Sequence, residues 1–239
     1  MELKDIRVEL INPEEVKKFV EMHGRMACIC YDTDEKFSSK VGESVLQSGH
    51  YSGSRGDTFK FKITGVPRAC VDQIARHNVG AYPQVQSQRY VKVEDMNIFM
   101  PPIVANDSEL KTLVNYHADY TEKIYTLMLE RLEVLGIKGE KANEIARGVL
   151  PINIESAMTV ALSLEGLINF MHKRLCTCAQ DHVREVARLM RAEILDVAPI
   201  YEPYLVPICE HNLWCPESAK RCCGRYPTKD SLRNILNAK

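Results

Sequence analysis

Nine apolar residues recur with the 3.6-residue period of an α-helix between Ser108 and Gly136. This period places them on one face, so the sequence predicts a single long helix that ends at the glycine. The nine are Leu110, Leu113, Val114, Tyr120, Ile124, Leu127, Met128, Leu132 and Leu135. Further helical patterns follow in EKANEIARGVLP, MTVALSLEGLINFMHKRL and DHVREVARLMRAEILDVA. The second half of the chain is therefore predicted to be mostly helical, up to an irregular region after Pro199.

The first half of the chain mixes strand and helix patterns. Apolar and polar residues alternate in IRVELI, TFKFKITGV and RYVKVE, which predicts three strands. Helical spacing occurs after Asn12 and Pro13, an expected N-cap and N1 pair, then between Lys36 and Ser48, and again in VPRACVDQIARH. Because there is no repeat or low-complexity linker, we expect one α+β domain.

Charge and cysteine content limit the expected partners. The 239 residues carry a formal net charge of −1, so we expect neither nucleic-acid nor membrane binding. No apolar run approaches the ~20 residues of a membrane span. The N-terminal residues MELKDIRVEL also lack a signal-peptide core, so a cytoplasmic location is expected. In that reducing compartment the nine cysteines are expected to be thiols or metal ligands.

Residues 75–90, ARHNVGAYPQVQSQRY, place cationic clusters on both sides of a nearly uncharged stretch. The clusters contain Arg76 and Arg89, and the glycine, proline and glutamines between them disfavour a long regular element. Such a loop can bind an anion through its arginines and recognise the group attached to that anion through hydrogen bonds with its side-chain amides. Arg147 and Arg174 recur near the ends or inner faces of predicted helices. For any single arginine, an ordinary salt bridge is the simpler interpretation.

Two further features allow two interpretations each. GHYSGSRGD carries His50, Ser52 and Ser54 just before the second predicted strand, and it forms either a binding turn or a simple turn. His77, beside Arg76, either stacks on a flat ring or belongs to the core.

Six sequence segments, taken in order, resemble the flavin-dependent thymidylate synthase family over roughly residues 5 to 205. They are Gly49 to Ser52, Gly65 to His77, Ser87 to Tyr90, Ala146 to Pro151, Leu167 to Arg174, and Ala179-Gln180. The resemblance implies an α+β domain with an antiparallel or mixed sheet and long helices. We assign this domain to residues 1–205 and a cysteine-rich tail to residues 206–239. The resemblance also implies a homotetramer with active sites between subunits.

The resemblance further implies reductive methylation of dUMP to dTMP. Methylenetetrahydrofolate would give the one-carbon unit, and FAD reduced by NADPH would supply the hydride. The flavin would carry the redox step while protein cations hold the phosphate and polarise the uracil ring. Two alternatives remain: a non-catalytic nucleotide-binding relative, and an enzyme with different flavin or one-carbon chemistry on a pyrimidine nucleotide.

Site residues follow from the positions that match the family's motifs. For dUMP they are Gln73, Arg76, Ser87, Gln88, Arg89, Arg147 and Arg174. For FAD they are His50, Ser52, Arg76, His77, Asn78 and Asn169. Arg174 and Ser87 are the predicted catalytic residues. Ser87 is expected to contact substrate rather than act as a nucleophile, since no adjacent base could activate it.

The flavin positions depart from the family pattern, whereas the nucleotide positions do not. Asn78 stands where the family's loop has a second arginine, and Cys178 stands where a histidine is expected. Arg55 replaces an expected glutamate, and Glu165 replaces an expected arginine. We hypothesise that these two reversed charges compensate each other if they meet across the site.

The tail CEHNLWCPESAKRCCG concentrates cysteines within a short irregular segment. Four sulfurs and the imidazole of His211 could close one tetrahedral site, although the spacing is not the paired C-x-x-C of zinc ribbons. We therefore predict a zinc or iron–sulfur site, with ligands Cys209, Cys215, Cys222 and Cys223. The alternative is a reduced tail with incidental thiols.

Overall fold

The computed structural model describes residues 1–237 and has an α+β fold, which confirms the predicted fold class. Four strands form an antiparallel sheet in the order β1-β2-β4-β3. Their bounds are β1 Arg7–Leu10, β2 Thr58–Pro67, β3 Ala81–Val85 and β4 Glu155–Ser163.

The helices account for most of the remaining chain. They are α1 Pro13–Val16, α2 Phe19–Cys30, α3 Ser38–Gln47, α4 Arg68–Ala75, α5 Pro102–Ala105, α6 Ser108–Val134, α7 Gly139–Ala146, α8 Leu164–Arg174, α9 Asp181–Val197, α10 Ile208–Asn212 and α11 Lys229–Asn237. Among the described residues, no helix has the length and apolar character needed to cross a membrane.

The chain groups into two compact units. The first consists of Met1–Arg7, Ile63–Arg76 and Pro83–Thr159, and the second of Val8–Lys62, His77–Tyr82 and Val160–Lys239. The proposed boundary between a domain at 1–205 and a tail at 206–239 stays a prediction. Residues 238 and 239 of that tail lie outside the described part of the chain.

One strand prediction was wrong, and so was part of one helix prediction. RYVKVE is not a strand; the strand lies earlier, at AYPQV, inside the stretch expected to be a loop. β3 ends the strand order, and an edge strand tolerates a proline such as Pro83 because one side needs no ladder hydrogen bonds. The predicted helix MTVALSLEGLINFMHKRL begins as a strand. Its first residues, MTVALS, belong to β4, along which burial alternates, and α8 begins only at Leu164.

Two details of the predicted helices also change. Asn12 precedes α1, but its side chain does not cap that helix. Its amide instead donates to Thr58 O at 2.9 Å and accepts from Lys60 N at 3.0 Å, which joins the start of the helix to β2. The long helix α6 begins at Ser108 as predicted, with Asp107 accepting from Leu110 N at 2.8 Å, but it ends at Val134, shortly before Gly136.

Candidate active site

Six of the seven predicted nucleotide contacts lie in the first unit, where the loop after β3 is fixed to α7. Ser87 Oγ accepts from Arg89 N at 3.2 Å, and Asn143 Nδ2 donates to Arg89 O at 3.0 Å. The Arg89 guanidinium contacts the carboxylate of Glu140, and its Nε lies 3.1 Å from Glu144 Oε2. Helix α7 therefore contacts both the backbone and the guanidinium of Arg89.

Arg147 directly follows the last residue of α7. The pKa of the Glu144 carboxyl is lowered mainly by Lys141, and further by the charges of Arg89 and Arg147. Both arginines therefore lie near one carboxylate. Gln73 lies on α4 and exposed Arg76 follows its last residue. An incoming anion would compete with protein carboxylates for the guanidinium of Arg89.

Arg174, the seventh predicted contact, ends α8 in the second unit. Its Nε donates to His77 Nε2 at 2.9 Å. His77 is only 8% exposed, and its ring meets the edge of Phe170 with centroids 4.9 Å apart. Burial, followed by the charge of Arg174, lowers the pKa of His77 to about 4. The imidazole is therefore neutral at pH 7 and can accept the guanidinium hydrogen bond that orients Arg174.

Small residues bring His77 to this position. Gly80 has φ +63°, and a Cβ there would lie 2.1 Å from Ser163 Oγ. A Cβ at Gly166, in the first turn of α8, would lie 2.5 Å from Gly80 O. Ser163 N donates to Gly80 O at 2.8 Å, and Ser163 Oγ caps α8 by accepting from Gly166 N at 3.2 Å. The segment 77–80 can therefore lie directly on the helix that carries Arg174.

The lowered pKa of His77 predicts a pH dependence of stability. The unfolded side chain titrates near 6.5, so between about pH 6.5 and 4 the unfolded chain binds the extra proton. The free energy of unfolding should therefore decrease as the pH is lowered from about 6.5 to 4. The contribution of His77 to this decrease is at most about 1.4 kcal/mol per pH unit. His77→Gln should reduce that slope. Denaturant unfolding of the wild type and the variant at several pH values measures it, and an equal slope in both proteins would contradict the assignment.

Asn169 and Arg174 line one cavity of about 370 Å³. Lys173 and Cys178 also line it, as do residues of the C-terminal tail. The structure therefore brings together a predicted FAD residue, a predicted dUMP residue and the cysteine that departs from the family pattern.

His50 and Ser52 line a second cavity of about 350 Å³, in the same unit. Its walls include Cys30 and Tyr31, the last residue of α2 and the residue that follows it. His23, which no sequence signal singled out, also lines this cavity. It is buried and forms a hydrogen bond with the backbone of His50. No local motif could have identified His23, because its role depends on how α2 packs.

A family model described as "Thymidylate synthase complementing protein" matches residues 14–200. A flavin-dependent thymidylate synthase from Nitratidesulfovibrio vulgaris is 35% identical over 189 residues, covering 79% of this chain and 77% of the relative. One from Pyrococcus horikoshii is 34% identical over 203 residues, covering 80% and 79%. The chain belongs to the flavin-dependent thymidylate synthase family.

A solved structure supports the fold. It is the crystal structure of a UMP/dUMP methylase, PolB, from Streptomyces cacaoi bound with 5-Br UMP. The TM-score is 0.60 at 19% identity, over 84% of this chain and 93% of that chain. At this identity the likeness concerns the fold alone.

One departure from the family pattern is explained by a contact. Arg55 Nε lies 3.4 Å from Glu165 Oε2, so the two reversed charges meet as hypothesised. The Arg55 side chain is 70% exposed and that of Glu165 is 41% exposed, and such a partly exposed pair typically contributes only about 0–1 kcal/mol.

The cysteine tail gives no support to the predicted metal site. The four predicted ligands, together with Cys176, line a cavity of about 50 Å³. Within residues 1–237, no three His, Cys, Asp or Glu side chains are grouped as a metal ion requires. The four predicted ligands, Cys209, Cys215, Cys222 and Cys223, are free cysteines. His211 lies against His172, with ring centroids 4.7 Å apart.

Proposed function

We propose that the chain catalyses the reductive methylation of dUMP to dTMP, with methylenetetrahydrofolate as one-carbon donor and NADPH as reductant of FAD. The observation that carries the proposal is the cavity where neutral His77 orients Arg174 beside Asn169. Family membership supports it, because the curated relatives are named flavin-dependent thymidylate synthases. The related solved structure is described as a UMP/dUMP methylase, which supports a pyrimidine nucleotide as substrate.

The chain's own residues would bind and orient the nucleotide. Arg174 would make charge-assisted hydrogen bonds to an anionic group of dUMP, and guanidinium geometry suits a bidentate contact with phosphate. Arg89 and Arg147, together with Ser87, would form the second part of this binding site in the assembled enzyme. The remaining predicted contacts, Gln73, Arg76 and Gln88, would complete it.

The second cavity fits part of a flavin dinucleotide. About 350 Å³ lies within the range of small-molecule sites, and Tyr31 offers a flat wall beside the imidazole of His50 and the hydroxyl of Ser52. His77, Asn78 and Asn169, with Arg76, are the other residues proposed to hold the cofactor. When bound, the flavin supplies the hydride for the reduction.

The deciding assay measures dUMP-dependent oxidation of NADPH in the presence of methylenetetrahydrofolate, with dTMP identified as product. Absorbance at the flavin band of the purified or reconstituted protein measures FAD binding. A protein that binds dUMP but no flavin would support the non-catalytic relative. A different pyrimidine product would support the other flavin or one-carbon chemistry.

We also propose that the enzyme is a homotetramer, and helix α6 offers a surface for a second copy. Leu113, Tyr120, Leu127 and Val134 recur every seven residues and are between 54% and 73% exposed. Only Thr121 and Tyr125 are buried among the described residues of this helix. An apolar seam with a seven-residue period is typical of helices that pair with other helices.

Charges placed on this seam should dissociate the assembly. We expect the variant Leu113→Lys with Leu127→Lys to show a lower mass than wild type by light scattering and to lose dUMP turnover, because the lysines would be desolvated at the interface. The control is Glu122→Lys, an exposed position on the same helix off the seam. A stable wild-type monomer of 27.2 kDa would contradict the proposal.

A further inference from the structure

The cysteine-rich tail folds against the end of α8. Cys178 Sγ donates to Arg221 O at 3.2 Å, and the His172 and His211 rings lie together. The tail also closes on itself, because Cys215 N donates to Pro227 O at 2.8 Å beside a bridge to Thr228. Tail residues are therefore held next to the helix end that carries the predicted catalytic arginine.

Four residues of the tail line the cavity that contains Arg174: Ile208, Pro216, Glu217 and Arg221. Lys173, Arg174 and Arg221 give this cavity three positive charges, against the single carboxylate of Glu217. His172 adds no charge at pH 7, because burial lowers its pKa to about 4. The cavity therefore has an excess of positive charge, and one of its cations comes from the tail.

The geometry of Arg221 leaves donors for a ligand. Its Nε lies 3.3 Å from Oε2 of Glu217, at position i−4 in the sequence, and this contact restrains the side chain. A guanidinium has five N–H donors, and its side chain here is 64% exposed, so one carboxylate does not exhaust them. Arg221 also lies beyond the family match, which covers residues 14–200.

We infer that Arg221 is an anion-binding residue of the nucleotide cavity, and that the tail forms a wall of that cavity recognising the phosphate of a nucleoside monophosphate. The identity of this ligand rests on the proposed function. A phosphate held between Arg174 and Arg221 would receive charge-assisted hydrogen bonds from two directions.

The test compares Arg221→Ala with wild type by calorimetry on the full-length protein, using dUMP and deoxyuridine as ligands. We expect about a tenfold weaker affinity for dUMP, which corresponds to about 1.4 kcal/mol, and little change for deoxyuridine, which lacks the phosphate. Arg221→Lys should recover part of the loss. Lys220→Ala is the matched control, since Lys220 is an exposed neighbouring cation that does not line the cavity.

The outcomes separate this inference from the proposed function. If Arg221→Ala leaves dUMP affinity unchanged while Arg174→Ala weakens it, the tail inference is wrong and the proposed function stands. Equal losses for dUMP and deoxyuridine would show a packing role and overturn anion binding. Equal losses in Arg221→Ala and Lys220→Ala would show a long-range charge effect and also overturn it. No effect of either Arg174→Ala or Arg221→Ala would count against the proposed function itself.

Discussion

Arg174→Ala is expected to weaken dUMP binding by at least about 30-fold. Removing a charged, partly desolvated hydrogen-bond partner typically costs about 2–5 kcal/mol, and the low end of that range corresponds to about 30-fold. Much of that loss comes from the anionic group of dUMP, which would be left in the site without its hydrogen-bond partner. Bound FAD should change little, because this arginine is proposed to face the nucleotide.

Calorimetry with dUMP and absorbance at the flavin band can be run on the same samples. Arg188→Ala is the control, because Arg188 lies on α9 and pairs with Glu185 on the surface, with Nε–Oε2 2.9 Å.

Asn78→Arg restores the family's loop residue and should have the converse effect. It should alter flavin affinity or flavin reduction, while dUMP affinity stays near its starting value. If Arg174→Ala binds dUMP as tightly as wild type, the proposed substrate site is wrong. The chain would then share the family's fold without sharing this binding site.

Helices with a clear polar face were predictable from local spacing, whereas strands at the site were not. β4 was mistaken for helix because Met158, Ala161 and Leu162 are good helix formers, and its buried residues alternate within the single run MTVALS. β3 was hidden by Gly80 and Pro83, which normally indicate a loop. In both cases the pairing partner is distant in sequence, so tertiary context decided the local structure.

The candidate site was predictable where a side chain is chemically conspicuous. Arg174 stood out because a charge in an apolar helix needs a partner, and the structure provides His77. The Arg55–Glu165 contact, 110 residues apart, could be hypothesised only from the family pattern. Packing of the tail on α8 was not predictable, because Cys178 contacts a backbone carbonyl 43 residues away and such contacts leave no pattern in sequence.

Phe170→Ala is expected to lower the free energy of unfolding by about 3–5 kcal/mol, the usual cost of truncating a fully buried phenylalanine. Phe170 is 0% exposed on the inner face of α8, where its removal leaves a cavity that a packed core fills only partly. Its ring also supports the edge of His77, with centroids 4.9 Å apart. The variant should therefore bind dUMP more weakly even where it remains folded, because His77 would no longer be held to orient Arg174.

Unfolding in guanidinium chloride measures the loss of stability, and calorimetry with dUMP measures the loss of affinity. Phe170→Leu keeps most of the buried volume and should lose less stability and less affinity. Phe37→Ala, at a position 45% exposed, should change neither by much. If Phe170→Ala loses stability but binds dUMP as wild type does below the unfolding transition, then Phe170 is a core residue only. The orientation of Arg174 would in that case depend on the contacts of segment 77–80 with the first turn of α8, where Gly80 and Gly166 allow the close approach.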